Sequence, residues 1–155
     1  MTPYAAEAFP DTLPNAGVDV PVLDIERTFW EKASILHAEA HRPADKPVPE
    51  RYSRHYSDVA DLAKSGSAAR ALERDDLRAR VVAHKQVFFP AAWAKTETAV
   101  PGTFRLLPQR ERAAELARDY ASMREMFFRE PMSWAEILEV LGELEKRINS
   151  PPRNK

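Results

Sequence analysis

Apolar residues recur at helical spacing along the chain after residue 24, and this pattern limits the fold more than any other feature. In residues 25–41 the apolar positions recur at intervals of three and four, so they form one stripe on a helix. They are Phe29, Ala33, Leu36 and Ala40. Similar spacing predicts further helices, at residues 51–64, 68–72, 75–88, 109–127 and 134–149. Only 4 glycines among 155 residues also favour helices, so we predict a mainly α protein, a helical bundle.

The last two predicted helices are both strongly amphipathic, and a short connection separates them. Ser133 and Glu136 have the spacing of a capping box, which predicts where the last helix begins. We expect these helices to pack as an antiparallel hairpin that buries Leu141 against the face formed by residues 113–127.

The N-terminal region has a different character. Residues 1–17 hold three prolines and a glycine, which predicts extended or irregular backbone. Alternating valines in residues 18–23 then indicate a short edge strand, although no partner strand follows. We therefore predict an extended arm or single short strand over residues 1–24, a helical domain over 25–149 and a disordered tail over 150–155.

Composition limits the classes of function. The 23 basic and 24 acidic residues give a net charge of -1, so no global field favours nucleic acid or an acidic membrane surface. The absence of cysteine excludes disulfides and thiolate metal sites. The N-terminal residues contain no apolar run typical of a signal peptide or membrane span, which predicts a cytoplasmic protein without membrane contact.

Lys32 is the first candidate functional residue. It lies three residues after Phe29 and four before Leu36, at the edge of the apolar stripe, while Glu31 points to the other side. A lysine in this position can lay its stem on apolar neighbours and present its ammonium to a phosphate group. The alternative is that the side chain simply extends into solvent.

Asp58 and Asp61 are separated by one helical turn, so their carboxylates share a flank of the second long helix. Such a pair can bind Mg²⁺, accept a proton or face water. Arg54 and His55 lie one turn before Asp58 and place positive charge beside it.

Two other clusters offer weaker signals. His37 and His41 are four residues apart and could share a metal ion, with His55 as a third ligand. In zinc proteases a glutamate follows the first histidine directly, whereas Glu39 is two positions after His37. A basic cluster on the helix at 75–88 is expected to be a solvated face. It consists of Arg78, Arg80, His84 and Lys85.

The segments ERTFWEK at residues 26–32 and RYSRHYSDVADL at 51–62 resemble the AbiEii/AbiGii-type nucleotidyltransferase toxins of bacterial phage-defence and toxin–antitoxin systems. The similarity continues through residues 84–89, 119–128 and 144–149. It implies transfer of a nucleotide from a nucleoside triphosphate to an acceptor such as tRNA, with Mg²⁺ as cofactor. By position, Lys32 would contact the triphosphate and Asp58 would be the acidic partner, with Glu31 and Asp61 in support.

The family's catalytic core begins with a Gly-Ser turn and an Asp-x-Asp pair that holds the metal ions. The only Gly-Ser here is Gly66-Ser67, which follows the Lys32 and Asp58 motifs, and no such Asp-x-Asp follows it. The chain therefore resembles the C-terminal helical half of such a toxin, without the two-metal clamp. We expect it to be inactive alone.

Three hypotheses remain open at this point. The chain is part of a nucleotidyltransferase that is completed by an N-terminal half, with an antitoxin as a further partner. Alternatively, it is a stand-alone helical interaction module that self-associates or binds a partner protein or RNA. A metal-dependent hydrolase that uses His37 and His41 is the third and weakest hypothesis.

Overall fold

The structure is a computed structural model that describes residues 3–13, 17, 19–127 and 130–150. In these residues the regular structure is helical and no β-strand occurs, which confirms the mainly α prediction. The α-helices are α1 (Tyr4–Ala8), α2 (Ile25–Glu39), α3 (Arg54–Lys64), α4 (Ser67–Leu72), α5 (Asp75–Phe88), α6 (Ala113–Ser122) and α7 (Trp134–Asn149). Short 3-10 turns lie at Ala92–Ala94, Thr96–Thr98, Arg110–Arg112 and Arg124–Met126. None of the described helices is both long and apolar enough to span a bilayer.

Helix α2 lies at the centre of the fold and packs against α3, α4 and α5. Its predicted apolar stripe is buried: Phe29, Ala33 and Leu36 have no exposed surface. Trp30 is also buried, and its indole N–H donates a 2.9 Å hydrogen bond to the carbonyl of Ala71 in α4. The buried face of α2 is therefore wider than one stripe, as expected for a helix that contacts neighbours on several sides.

The N-terminal region differs from the expectation of an extended arm. Residues 4–8 form a helix, so the prediction is wrong there. Residues 19–24 have neither helical nor strand structure, and Val18 lies outside the described residues. The strand prediction is thus not met in the part of this segment that the structure describes, because alternating valines cannot form a ladder without a partner strand.

The predicted hairpin of the last two helices is also wrong. Helix α7 packs along α3, and α6 ends at Ser122 instead of continuing to residue 127. Contact between α6 and the start of α7 comes from Tyr120, whose ring is 5.6 Å from that of Trp134 and whose hydroxyl donates to the Met132 carbonyl. An amphipathic pattern shows which face of a helix is buried, but it does not identify the partner.

Other details of α7 follow the sequence. The side chain of Glu136 accepts from the Ser133 backbone N–H at 2.8 Å, and the Glu136 N–H donates to the Ser133 hydroxyl at 3.3 Å, so the capping box is confirmed. Leu141 is fully buried, as predicted. Near its end, α7 also holds the irregular segment 104–107. Glu145 accepts from the N–H groups of Leu106 and Leu107.

Candidate functional site

Lys32 and Asp58 form an ion pair across the interface between α2 and α3. The Lys32 ammonium donates to a carboxylate oxygen of Asp58 at 2.5 Å. Their side chains are 30% and 41% exposed, so a ligand from solvent can reach both. The structure therefore brings together the two residues that the sequence singled out separately, on one partly exposed surface.

The pair is held in place by the packing on either side of it. Phe29 and Leu36 bury the helical face next to Lys32, and Val59 is fully buried beside Asp58. At the start of α3, the Asp119 carboxylate from α6 accepts from the backbone N–H groups of Arg51 and Ser53, at 2.7 and 2.9 Å. Asp119 therefore acts as a distant cap that fixes the helix carrying Asp58.

Hydrogen bonds also set the charge of Asp119 itself. Burial alone would raise its pKa, but the hydrogen bonds from the Ser53 hydroxyl and from the backbone outweigh that effect and lower the pKa. The Ser53 hydroxyl, which is completely buried, donates to Asp119 at 2.5 Å. Asp119 thus stays ionised. Its role could not be predicted from the sequence, because its partners Ser53 and Arg51 are 66 and 68 residues away.

His55 lies beside the pair but does not form a second ionic contact. Its Nδ1 atom is 3.9 Å from the Asp58 carboxylate. Burial, together with the charges of Lys32 and Arg54, lowers the pKa of His55 to about 4, so the ring is neutral near pH 7. The buried Nδ1 atom has no hydrogen-bond partner in the described part of the protein.

Lys85 lies on α5, which packs against α2, and it is not on a fully solvated face as predicted from the sequence. It is half-buried, and burial lowers its pKa, whereas the charge of Glu31 opposes that change. The charge of Lys85 also contributes to the lowered pKa of His55. Lys85 follows the buried Val81 by four residues, and that spacing was the signal available in the sequence.

Arg78 also contradicts the prediction that the basic cluster on α5 is a solvated face. It is buried, pairs with Asp75 at 2.6 Å and donates to the Ala99 carbonyl at 2.8 Å. The solvated-face prediction holds only for Arg80 and His84, which are exposed.

The predicted supporting residues are more loosely connected. Glu31 pairs with Arg27 at 3.1 Å, one turn along the same helix. Asp61 is exposed, and partial desolvation and the Asp58 charge raise its pKa. Arg54 is exposed at the start of α3 and contributes through its charge.

The ligands for a metal ion are not assembled in this region. One Asp58 oxygen is already bound to Lys32. Within residues 3–13, 17, 19–127 and 130–150, no three histidine or carboxylate side chains are grouped to hold a metal. The residues present here therefore do not fit the Mg²⁺ that the family resemblance implies.

Both ring nitrogens of His37 form hydrogen bonds with the backbone of other residues. Its Nδ1 accepts the Arg105 N–H at 3.1 Å, so its Nε2 carries the proton and donates toward the Lys95 carbonyl, also at 3.1 Å. Burial lowers the pKa of His37 to about 4. With both nitrogens occupied, His37 has no lone pair for a metal, and the hydrolase hypothesis loses its first ligand.

A Lys-Asp ion pair that is partly open to solvent spans two packed helices of this helical domain. Comparison with protein families matches residues 1–140 to the family described as nucleotidyl transferase AbiEii toxin, type IV toxin–antitoxin system. The match spans most of the chain, which therefore belongs to that family, and the resemblance seen in the sequence is confirmed. Comparison with curated proteins gave no significant match, and comparison with solved structures gave none either.

Proposed function

We propose that this chain is the helical part of a nucleotidyltransferase toxin, in which Lys32 contacts the triphosphate of a nucleoside triphosphate and Asp58 is its acidic partner. The observation that carries the proposal is the 2.5 Å contact between these two side chains, which remain partly open to solvent. Membership of the AbiEii family supports the same reaction class.

The local charges suit a triphosphate. Lys32 supplies a compact ammonium, and the nearby charges of Lys85 and Arg54 increase the local attraction for an anion. His55 adds no positive charge near neutral pH because its pKa is lowered to about 4. Asp58 holds the ammonium at a defined position before a ligand arrives, which reduces the ordering required on binding.

Catalysis requires groups that we propose come from another segment. Phosphoryl transfer depends on metal ions and positioned donors that stabilise the developing charge. In this sequence the Gly-Ser pair lies at the start of α4, beyond both site residues, and no Asp-x-Asp follows it. We therefore propose that an N-terminal nucleotidyltransferase half supplies the Mg²⁺ ligands, and that this chain alone transfers no nucleotide.

We also propose a biological setting for the protein from its family. A type IV toxin–antitoxin system implies an antitoxin partner. A tRNA acceptor, a role in phage defence and a cytoplasmic location are consistent with that setting.

Binding is tested by titrating the chain with each nucleoside triphosphate, without metal, in a calorimeter. We expect Lys32→Ala to weaken binding about 10-fold, the loss of one charge-assisted contact. Lys146→Ala is the matched control, because Lys146 forms an exposed ion pair with Glu143 at 2.6 Å on α7. Equal affinities in the wild type and both variants would refute the role of Lys32.

Transfer is tested separately, with labelled nucleoside triphosphates, total tRNA and Mg²⁺, followed by gel analysis. We expect no labelled product from this chain alone. Labelling that disappears in Lys32→Ala and Asp58→Ala would show that the chain holds a complete active site and would overturn the second part of the proposal.

An interaction module is the second candidate function, because large apolar side chains are exposed in the N-terminal segment and at the end of α5, among other places. Val22 is 75% exposed in the N-terminal segment, and Phe88 and Phe89 are 65% and 66% exposed at the end of α5. Exposed apolar surface of this kind often marks a protein contact. Light scattering across a concentration series would show self-association as a rising mass, whereas a constant monomer mass would exclude it.

A further inference from the structure

A pocket lies at the far end of α2, where the segment 95–105 meets the end of α7. Its volume is about 400 Å³, within the range of small-molecule sites. The residues that matter to its chemistry are His41, Lys95, Thr103, Arg105 and Asn149.

This pocket is separate from the Lys32 and Asp58 pair. His41 follows Lys32 by nine positions, which corresponds to about 13 Å along a helix axis. None of the described residues that line the pocket belongs to the first site.

The pocket wall is positively charged. Lys95 and Arg105 both line it and are exposed, and neither forms an ion pair with any other residue that the structure describes. None of the described lining residues carries a carboxylate, although Glu97 is close enough to influence the pKa of His37. Two such cations without an acid between them favour a ligand that carries negative charge.

One buried side chain fixes the backbone of both cationic residues. The His37 ring accepts the Arg105 N–H through Nδ1 and donates to the Lys95 carbonyl through Nε2, each at 3.1 Å. Lys95 has the disfavoured left-handed conformation, with φ of 45°. The His37 carbonyl also accepts from His41 Nδ1 at 2.8 Å. His37 is therefore a positioning residue for three members of the pocket wall.

The opposite side is fixed by α7. The Asn149 amide donates to the Phe104 carbonyl and accepts the Phe104 N–H, both at 2.9 Å. Phe104 is thus hydrogen-bonded to α7, whereas the next residue, Arg105, is hydrogen-bonded to His37 in α2. A loop held at consecutive residues keeps its cation at a defined place before any ligand binds.

We propose that this pocket binds a phosphate group, with the Arg105 guanidinium and the Lys95 ammonium as its two charged contacts. A guanidinium offers paired donors that match phosphate oxygens, and an ammonium adds a compact charge, so the two together suit a dianion. The phosphate can arrive as the free ion, as pyrophosphate or on a nucleotide, and the recognition chemistry is the same. This inference does not depend on the function proposed for Lys32 and Asp58.

The test is a titration of the full chain with inorganic phosphate, pyrophosphate and ATP at constant ionic strength, followed by amide NMR. We expect saturable shifts at the backbone amides of residues 95–105, and an affinity at least 10-fold lower in the Lys95→Ala/Arg105→Ala double variant. Both side chains are exposed, so the variant should keep the wild-type fold. Preference for phosphate and pyrophosphate would indicate a free-ion site, and preference for ATP a nucleotide site; both support the proposal.

Two controls test whether the binding is specific to this pocket. The double variant Arg74→Ala/Arg124→Ala removes the same charge from exposed ion pairs elsewhere and should bind as the wild type does. Lys32→Ala should also leave the shifts at residues 95–105 unchanged, so the two proposed sites can fail independently. Absence of saturable shifts with all three probes, or equal affinity in the Lys95→Ala/Arg105→Ala variant, would overturn the proposal.

Discussion

Protonation of His37 should destabilise the fold as the pH falls. The folded protein lowers the pKa of this ring from 6.5 to about 4, chiefly because it is buried. The unfolded chain therefore binds a proton at His37 over a range of about 2.5 pH units in which the folded chain does not. The contribution of neutral His37 to the unfolding free energy is fully present above pH 6.5 and is lost as the pH falls towards 4.

The size of the effect follows from that interval. Each unit of pKa difference corresponds to about 1.4 kcal/mol, so His37 should remove about 3 kcal/mol of unfolding free energy between pH 7 and pH 4. A charged His37 would also lose its Nδ1 acceptor, which the Arg105 N–H requires. His55, whose pKa is also lowered to about 4, should contribute a parallel loss.

Urea unfolding at a series of pH values measures this dependence. His37→Gln keeps one donor and one acceptor but cannot titrate, so the slope of unfolding free energy against pH should fall by about 1 kcal/mol per unit between pH 6 and pH 4.5. His84→Gln is the matched control for the exchange itself, because His84 is exposed. A His37 pKa above 6 by NMR, or an unchanged slope in His37→Gln, would refute the reasoning.

The remaining predictions concern stability. Leu141→Ala should cost about 2–5 kcal/mol in urea unfolding, because Leu141 is fully buried, and a loss below about 0.5 kcal/mol would contradict that burial. A double-mutant cycle on Lys32 and Asp58 should give a coupling of about 0.5–1 kcal/mol, since the pair is partly exposed; a coupling near 3 kcal/mol would indicate a desolvated pair. Asp119→Ala should cost about 2 kcal/mol, because it leaves the buried Ser53 hydroxyl without its acceptor, and thermal unfolding would show no change if that bond were dispensable.

Local patterns in the sequence were sufficient for several features. Apolar spacing located the helical segments and the buried stripe of α2, because a helix repeats every 3.6 residues whatever its partner. The capping box at Ser133 was equally predictable from the sequence, since both of its hydrogen bonds lie within four residues. The family resemblance also rested on contiguous segments.

Other features depended on contacts between distant residues. The pairing of α7 with α3 followed from the packing of whole helices, so the predicted hairpin was wrong. The short helix at Tyr4–Ala8 was missed because proline-rich composition was read as irregular backbone.

For the candidate site, local spacing was enough to place Lys32 and Asp58 at the edges of apolar stripes on successive helices. Tertiary packing was needed to bring the two side chains into contact, to half-bury Lys85 and to keep His55 neutral. The same packing directs His37 to the backbone of residues 95 and 105 instead of a metal ion. A pKa and a hydrogen-bond partner depend on burial and on groups from other elements, and neither is encoded in local spacing.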